Sequence, residues 1–259
     1  MDNKIAYFDS VAEKYFQIYN EDTPGGYTFR VRKARILELI EKSGGRVLDV
    51  GCGPGIMVKE LIDLGYEFWG IDASSNMIKE CRKYFEMINS IHFSIGDATD
   101  IKFPDDSFDL VICMGVIDRI KKYELAIKEM MRVTKKNGSL IIVFPNLCSP
   151  YAAWRAFIYY PIINLLKSIY FSISRRPQLQ SMLSSFVKLH SERNAIKLVE
   201  KYSGKVTNVV YYNFNVCISP LDELFPHLTV WITGKLESCR AGWLKWLGSG
   251  FIVKVTKCD

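Results

Sequence analysis

The chain of 259 residues reads as an α/β protein built on a doubly wound, mainly parallel sheet. Three observations predict this. Residues 47–50, Val-Leu-Asp-Val, run as a strand into the glycine turn 51–55, Gly-Cys-Gly-Pro-Gly, and a helical stretch follows. Further strand candidates alternate with helical stretches of about ten residues or more, the length that a parallel crossover needs. Composition is 49% hydrophobic and 24% charged, which supplies the core of one such domain.

Residues 1–45 read as helical. Residues 7–19 form a first helix, a Thr-Pro-Gly-Gly turn follows, and a second helix places Val31, Ala34, Ile36, Leu39 and Ile40 near one face. Strand one is 47–50, and the helix after it covers 56–64, stopped by Gly65. Strand two is 67–71, followed by a helix at 75–85. Strand three is 91–94 and strand four is 108–113. A helix covers 123–133, and Lys135, Lys136, Asn137 and Gly138 form its cap and turn before strand five at 140–144. Residues 146–205 hold no strand candidate. Two closing strands follow, at 206–215 and 251–257. Four segments result: an N-terminal helical cap (1–45), a nucleotide-binding core (46–145), a helical insertion or lid (146–205) and closing strands (206–259).

Net charge is +6, which suits weak attraction to acidic lipids or acidic substrates and is no nucleic-acid signature, so no nucleic-acid partner is expected. The basic run Arg30, Arg32, Lys33, Arg35 reads as a solvated helix face, with phosphate or headgroup binding as the alternative. The seven cysteines are widely spaced without a Cys-x-x-Cys pair, which predicts reduced thiols in a cytoplasmic protein and no metal site. The N-terminal residues lack the apolar core of a secretory signal, and no long uncharged apolar stretch reads as a membrane span.

The glycine turn sets free backbone N–H groups and a helix N-terminus at the carboxyl edge of the sheet, a geometry suited to an anionic or carboxylate-bearing nucleotide. It is not the dinucleotide fingerprint, whose third glycine would fall at position 56, where Ile56 stands. Asp72 ends strand two, twenty-one residues after Gly51, the spacing at which a carboxylate reaches ribose hydroxyls. Asp49 precedes the turn, Met77 follows Asp72 in a D-x-S-x-x-M pattern, and Asp97 and Ala98 follow strand three. The phrase Phe-Pro-Asp-Asp-Ser-Phe-Asp-Leu-Val covers 103–111. In this order and spacing the stretch 47–146 resembles the class I S-adenosylmethionine (SAM) methyltransferases, including the ubiquinone/menaquinone-type and small-molecule members.

The resemblance implies a Rossmann-like seven-stranded sheet of order 3-2-1-4-5-7-6 with the last strand antiparallel. It implies SAM as cofactor, with S-adenosylhomocysteine as product. The cofactor residues it implies are Asp49, Gly51, Cys52, Gly53, Gly55, Asp72, Ala73, Met77, Asp97, Ala98 and Met114, together with Tyr15 from an N-terminal helix that closes over the site. The acceptor would be a small or medium-sized, partly hydrophobic molecule such as a lipid, quinone-like or polyketide-like compound. A non-catalytic SAM-binding module and an NAD-dependent reductase are the alternatives. The second lacks both the third glycine and a Tyr-x-x-x-Lys at a catalytic position.

No general base stands out. Relatives carry a histidine in the loop after strand four, where this chain has Arg119, a permanent cation. His190 and Tyr15 are the candidates. The aromatic stretch 151–174 carries one Trp, two Phe and four Tyr, while Arg155, Pro161 and Lys167 count against a span. With Arg175 and Arg176 beyond it, three readings are open for 151–176: a lid over the acceptor, a peripheral membrane contact, or a subunit contact in a homodimer. As a lid it would turn Tyr151, Trp154, Phe157 and Ile158 toward an acceptor pocket shared with Arg119.

Overall fold

The structure is a computed structural model and describes residues 3–41, 44–85, 87–174, 188–217, 219–239 and 242–258. Its strands are β1 (Gly45–Val50), β2 (Tyr66–Asp72), β3 (Ile91–Ile95), β4 (Phe108–Cys113), β5 (Thr134–Pro145), β6 (Gly204–Phe214) and β7 (Gly248–Lys257). They form one sheet in the order β3-β2-β1-β4-β5-β7-β6. β1 pairs in parallel with β2 and β4, β2 with β3, and β4 with β5. Only β7 runs against its neighbours β5 and β6. This is the order and sense expected.

Both faces of the sheet are buried, so strand side chains feed two apolar layers alternately. In β5, Leu140, Ile142 and Phe144 enter one layer and Ile141 and Val143 the other. The first layer is covered by α5 (Tyr123–Val133), through Ile127 and Met130, and by α8 (Glu192–Glu200), through Ala195 and Val199. The second is covered by α2 (Pro24–Glu38), α3 (Val58–Asp63) and α4 (Ser75–Phe85), through Ile36, Leu61 and Ile78. Helix starts carry local signals. Thr23 caps α2 by accepting the Gly26 amide at 3.1 Å ahead of Pro24, and Ser191 caps α8 by accepting the Asn194 amide.

The expected turn at 135–138 lies inside β5. Thr134 already pairs with Phe108, the register then shifts before Leu110 meets Ser139, and Asn137 takes φ +61°. The turn residues thus make an irregularity within the strand rather than a break before it. α1 (Asn3–Ile18) begins earlier than expected and packs on α4.

After β5 come α6 (Pro150–Trp154), a π-helical turn (Arg155–Tyr159) and α7 (Tyr160–Ser174). Arg175 and Arg176 lie outside the described residues. Between β6 and β7 run α9 (Leu221–Leu224), α10 (Pro226–Cys239) and a 3-10 turn (Gly242–Trp246). Both β5 and β6 are antiparallel to β7, so β5 and β6 end at the same edge, and β7 starts there. The glycine turn after β1 belongs to this carboxyl edge too. The glycine turn and the segments after β5 and β6 therefore leave one side of the sheet.

Candidate cofactor and active site

Gly51, Gly53 and Gly55 all have positive φ (+76°, +53° and +82°). The Gly51 and Cys52 amides donate to the Ile71 carbonyl at 2.7 and 3.1 Å, which folds the turn back over the end of β2. A Cβ on Gly51 would lie 2.2 Å from Val116 Cγ2, so the loop after β4 presses on the turn. A Cβ on Gly53 would meet nothing within 4 Å, because that position faces open space.

Asp72 holds this arrangement together. Its Oδ2 accepts the Gly53 amide at 2.9 Å and its Oδ1 accepts the Ser74 amide at 2.8 Å. Burial pushes its pKa above the ordinary carboxylate value, while the amides pull the other way. Asp49 lies buried beneath the turn with Oδ1 unpartnered. Burial first, and the neighbouring Asp72 charge second, raise its pKa from 3.8 to about 7. At the end of β3, Asp97 Oδ1 accepts from the Thr99 amide at 2.8 Å and the Thr99 hydroxyl at 2.9 Å.

α1 roofs the space between these carboxylates. Asp9 on α1 accepts from Ser74 Oγ at 2.6 Å and from the Asn76 amide at 3.1 Å, and Asn76 Nδ2 donates back to the Asp9 carbonyl. Phe8 packs edge-on to Tyr15, and the Arg119 guanidinium sits over the Phe8 ring, 5.8 Å from its centre. Burial pushes the Tyr15 phenol up to about 12. It is thus a neutral donor near pH 7 and a poor base.

A cavity of about 640 Å³ opens between roof and sheet edge. Of the residues expected at the cofactor, Tyr15, Gly51, Cys52, Gly53, Asp72, Ala73, Met77, Asp97, Ala98 and Met114 line it; Asp49 and Gly55 stand behind the wall. Arg119 lines it as well. The other four acceptor-pocket residues do not. The Tyr151 hydroxyl donates to Asp222 Oδ2 at 2.7 Å, and Trp154 Nε1 donates to the Ser219 carbonyl at 2.7 Å. Phe157 and Ile158 are exposed. The polar tips of the aromatic side chains find their partners in 219–223, and that holds the segment away from the cavity.

His190 is away from the cavity too. It is wedged edge-on between the Tyr123 and Phe144 rings, and burial lowers its pKa from 6.5 to about 4.

The basic run on α2 is not a solvated face. Arg30 donates to the Tyr19 and Glu21 carbonyls, Lys33 to the Ile56 carbonyl, and Arg35 pairs with Glu237 at 2.8 Å. Arg32 is buried, packs over the Phe29 ring, lines the cavity and is held among the hydroxyls of Tyr19 and Tyr212. The sequence reading missed it. The signal was helical spacing: stepping back four from Ile36, a core residue, lands on Arg32.

The profile of a family described as "Methyltransferase domain" matches residues 48–142. A demethylmenaquinone methyltransferase of Renibacterium salmoninarum is 34% identical over 141 residues, which cover 54% of this chain and 58% of that protein. The match thus spans little more than half of that relative's length. A phosphatidylethanolamine N-methyltransferase of Cereibacter sphaeroides is 30% identical over 138 residues, covering 52% of this chain and 68% of that one. A SAM-dependent methyltransferase of Thermotoga maritima superposes with a TM-score of 0.60 at 18% identity, covering 96% and 98% of the two chains.

The chain belongs to the class I SAM-dependent methyltransferases.

SAM is the cofactor of this family. Its chemical parts are a ribose diol, an adenine, a sulfonium, an ammonium and a carboxylate. This methyltransferase offers complementary groups in one cavity: the carboxylates of Asp72 and Asp97, the rings of Phe8 and Tyr15, the buried Arg32 cation, and the open side of Gly53. The cavity also falls in the size range of about 300–1,000 Å³ common to cofactor sites. Donor set and space fit the group.

Proposed function

We propose that this chain transfers a methyl group from SAM to an acceptor with a sizeable apolar part, of the lipid or quinone-like class. One observation carries the reading. Besides the glycine turn and its carboxylates, the cavity is lined by the apolar side chains of Ile5, Phe8, Val116 and Ile120. The names of two relatives, a demethylmenaquinone and a phosphatidylethanolamine methyltransferase, support it.

SAM, when bound, supplies a methyl group already activated on a sulfonium. The chain's own residues then have three tasks. Asp72 keeps lone pairs beyond those used by Gly53 and Ser74, enough to accept ribose hydroxyls. Arg32 presents a desolvated cation to a carboxylate. Phe8 and Tyr15 face a cation with aromatic surface and exclude water under α1. No histidine is found among the described residues that line the cavity, and Tyr15 holds its proton. The acceptor is therefore one that is nucleophilic, or ionises, unaided.

The test is transfer from methyl-tritiated SAM to a panel that includes a demethylquinone, a phospholipid and water-soluble amines. Label extracting into the organic phase, and lost with Asp72→Ala, is the expected result. Label found only in water-soluble products would overturn the apolar acceptor.

A further inference from the structure

α10 is inside out. Its buried positions are Thr229, Thr233 and Glu237, spaced four apart on one face, while Leu228 and Trp231 point outward. A helix on a water-facing surface buries its apolar stripe and exposes its polar one. The inward polar face is explained by its partners, since Glu237 pairs with Arg35 and accepts the Asn213 amide. Among the described residues nothing explains the outward apolar face. α9 and the residue after it continue it, with Leu221, Leu224 and Phe225 exposed.

A second apolar stripe lies close by. On the π-helical turn and α7, Ile158, Ile162, Leu165, Leu166 and Ile169 are all exposed, at steps of three, four and one that mark one helix face. Phe157 beside them is 69% exposed. Side-chain bonds tie the two segments together: Tyr151 to Asp222, Trp154 to the Ser219 carbonyl, and Tyr159 to Glu223 at 3.1 Å. Both segments leave the carboxyl edge of the sheet, the edge that carries the cavity.

We propose that the outer faces of α7, α9 and α10 form a docking surface for an anionic lipid bilayer. Charge selects this occupant. Residues 146–190 contain no Asp or Glu and carry five cations in the sequence, of which Arg155 turns to the Tyr151 and Tyr160 hydroxyls while Lys188 is exposed; Glu223 on α9, bonded to the Tyr159 hydroxyl, is an exposed acid on this face. Lys235 on α10 and Lys245 in the turn after it are exposed. Apolar and aromatic side chains with a basic surround are the composition of a structure that lies in the headgroup region. No helix among the described residues is long and apolar enough to cross a membrane, so the chain would lie on the bilayer. A second copy of the chain would set the same cations against one another, which disfavours self-association through this face. Docking itself is independent of methyl transfer. That it brings the cavity to a bilayer-borne acceptor rests on the function proposed above.

Sedimentation of the full chain with phosphatidylcholine vesicles, with and without phosphatidylglycerol, tests the proposal in the absence of SAM and acceptor. Binding is expected to the anionic vesicles, with a blue shift of tryptophan emission. Leu224→Glu combined with Trp231→Glu should weaken it by at least about tenfold, with thermal midpoint and SAM affinity unchanged, because both side chains are exposed. Lys235→Gln should weaken it by about fivefold, the effect of one basic residue near an anionic surface. Equal binding to neutral vesicles would overturn the anionic surface. Absence of vesicle binding, an unaffected double variant, or a dimer in solution that Trp231→Glu splits would overturn the docking face.

Discussion

Asp9 of the roof helix accepts a hydrogen bond from Ser74 Oγ at 2.6 Å, and Ser74 Oγ in turn caps α4 by accepting the Met77 amide at 3.1 Å. One hydroxyl thus links the roof to the loop that follows Asp72, whose carboxylate holds the glycine turn. Asp9→Ala removes two hydrogen bonds between roof and core, each worth about 0.5–1.5 kcal/mol. SAM affinity should fall by about 1–2 kcal/mol, with faster amide exchange along α1 and little change in exchange along the β strands. Calorimetry and hydrogen exchange read both. Unchanged exchange in α1 would show that the clasp does not hold the roof.

Gly51 and Gly53 separate folding from binding. Both have positive φ, which costs a residue with a Cβ about 1–2 kcal/mol. Gly51→Ala adds a clash with Val116, so it should lose folding stability and ligand binding together. Gly53→Ala meets no protein atom, so it should fold with only the backbone cost while its methyl group occupies cavity space. The expected pattern is a small drop in thermal midpoint and a large drop in SAM affinity for Gly53→Ala. Equal affinity in that variant would place the ligand elsewhere.

Much of this architecture was legible because its signals are local. β4, α4 and α5 start and end where apolar periodicity and turn residues predicted, and the sheet order followed from the resemblance in the core. The illegible parts depend on direction rather than type. Arg32 lies in a helix that periodicity places correctly, yet charge alone suggests the solvated side, and only the hydroxyls of Tyr19 and Tyr212 explain why it turns inward. Trp154 was expected to turn toward the acceptor pocket, but its indole N–H partner is a carbonyl 65 residues onward, which no local pattern foretells. α10 is the extreme case: its polar positions face in because Glu237 meets Arg35.

Asp49 predicts a pH dependence. An acid whose folded pKa exceeds its unfolded value binds more protons when folded, so its contribution to stability declines as pH rises from 3.8 toward about 7. Asp49→Asn removes that loss, and the ligand-free variant should melt higher than the parent at pH 8 and close to it at pH 4. SAM, a cation, favours the ionised carboxylate, so its binding to the parent near pH 7 should release a proton and tighten as pH rises. Calorimetry in buffers of different ionisation enthalpy measures the release, and the variant should show none from this group. A parent and variant with the same stability profile from pH 4 to pH 8 would contradict the assignment.

Trp154 and Phe157 lie within one turn of each other and should respond oppositely. The Trp154 ring is partly buried and its N–H is bonded to the Ser219 carbonyl at 2.7 Å, so Trp154→Ala loses packing and leaves an acceptor unmatched. Thermal or denaturant unfolding should show a loss of about 1–3 kcal/mol. Phe157 is exposed, so Phe157→Ala should stay within about 0.5 kcal/mol of the parent. Neither side chain lines the cavity, so both variants should keep SAM affinity and, well below their melting temperatures, the KM of a detergent-dispersed acceptor. A raised KM in Trp154→Ala without loss of stability would return this segment to the acceptor pocket and overturn its placement against 219–223.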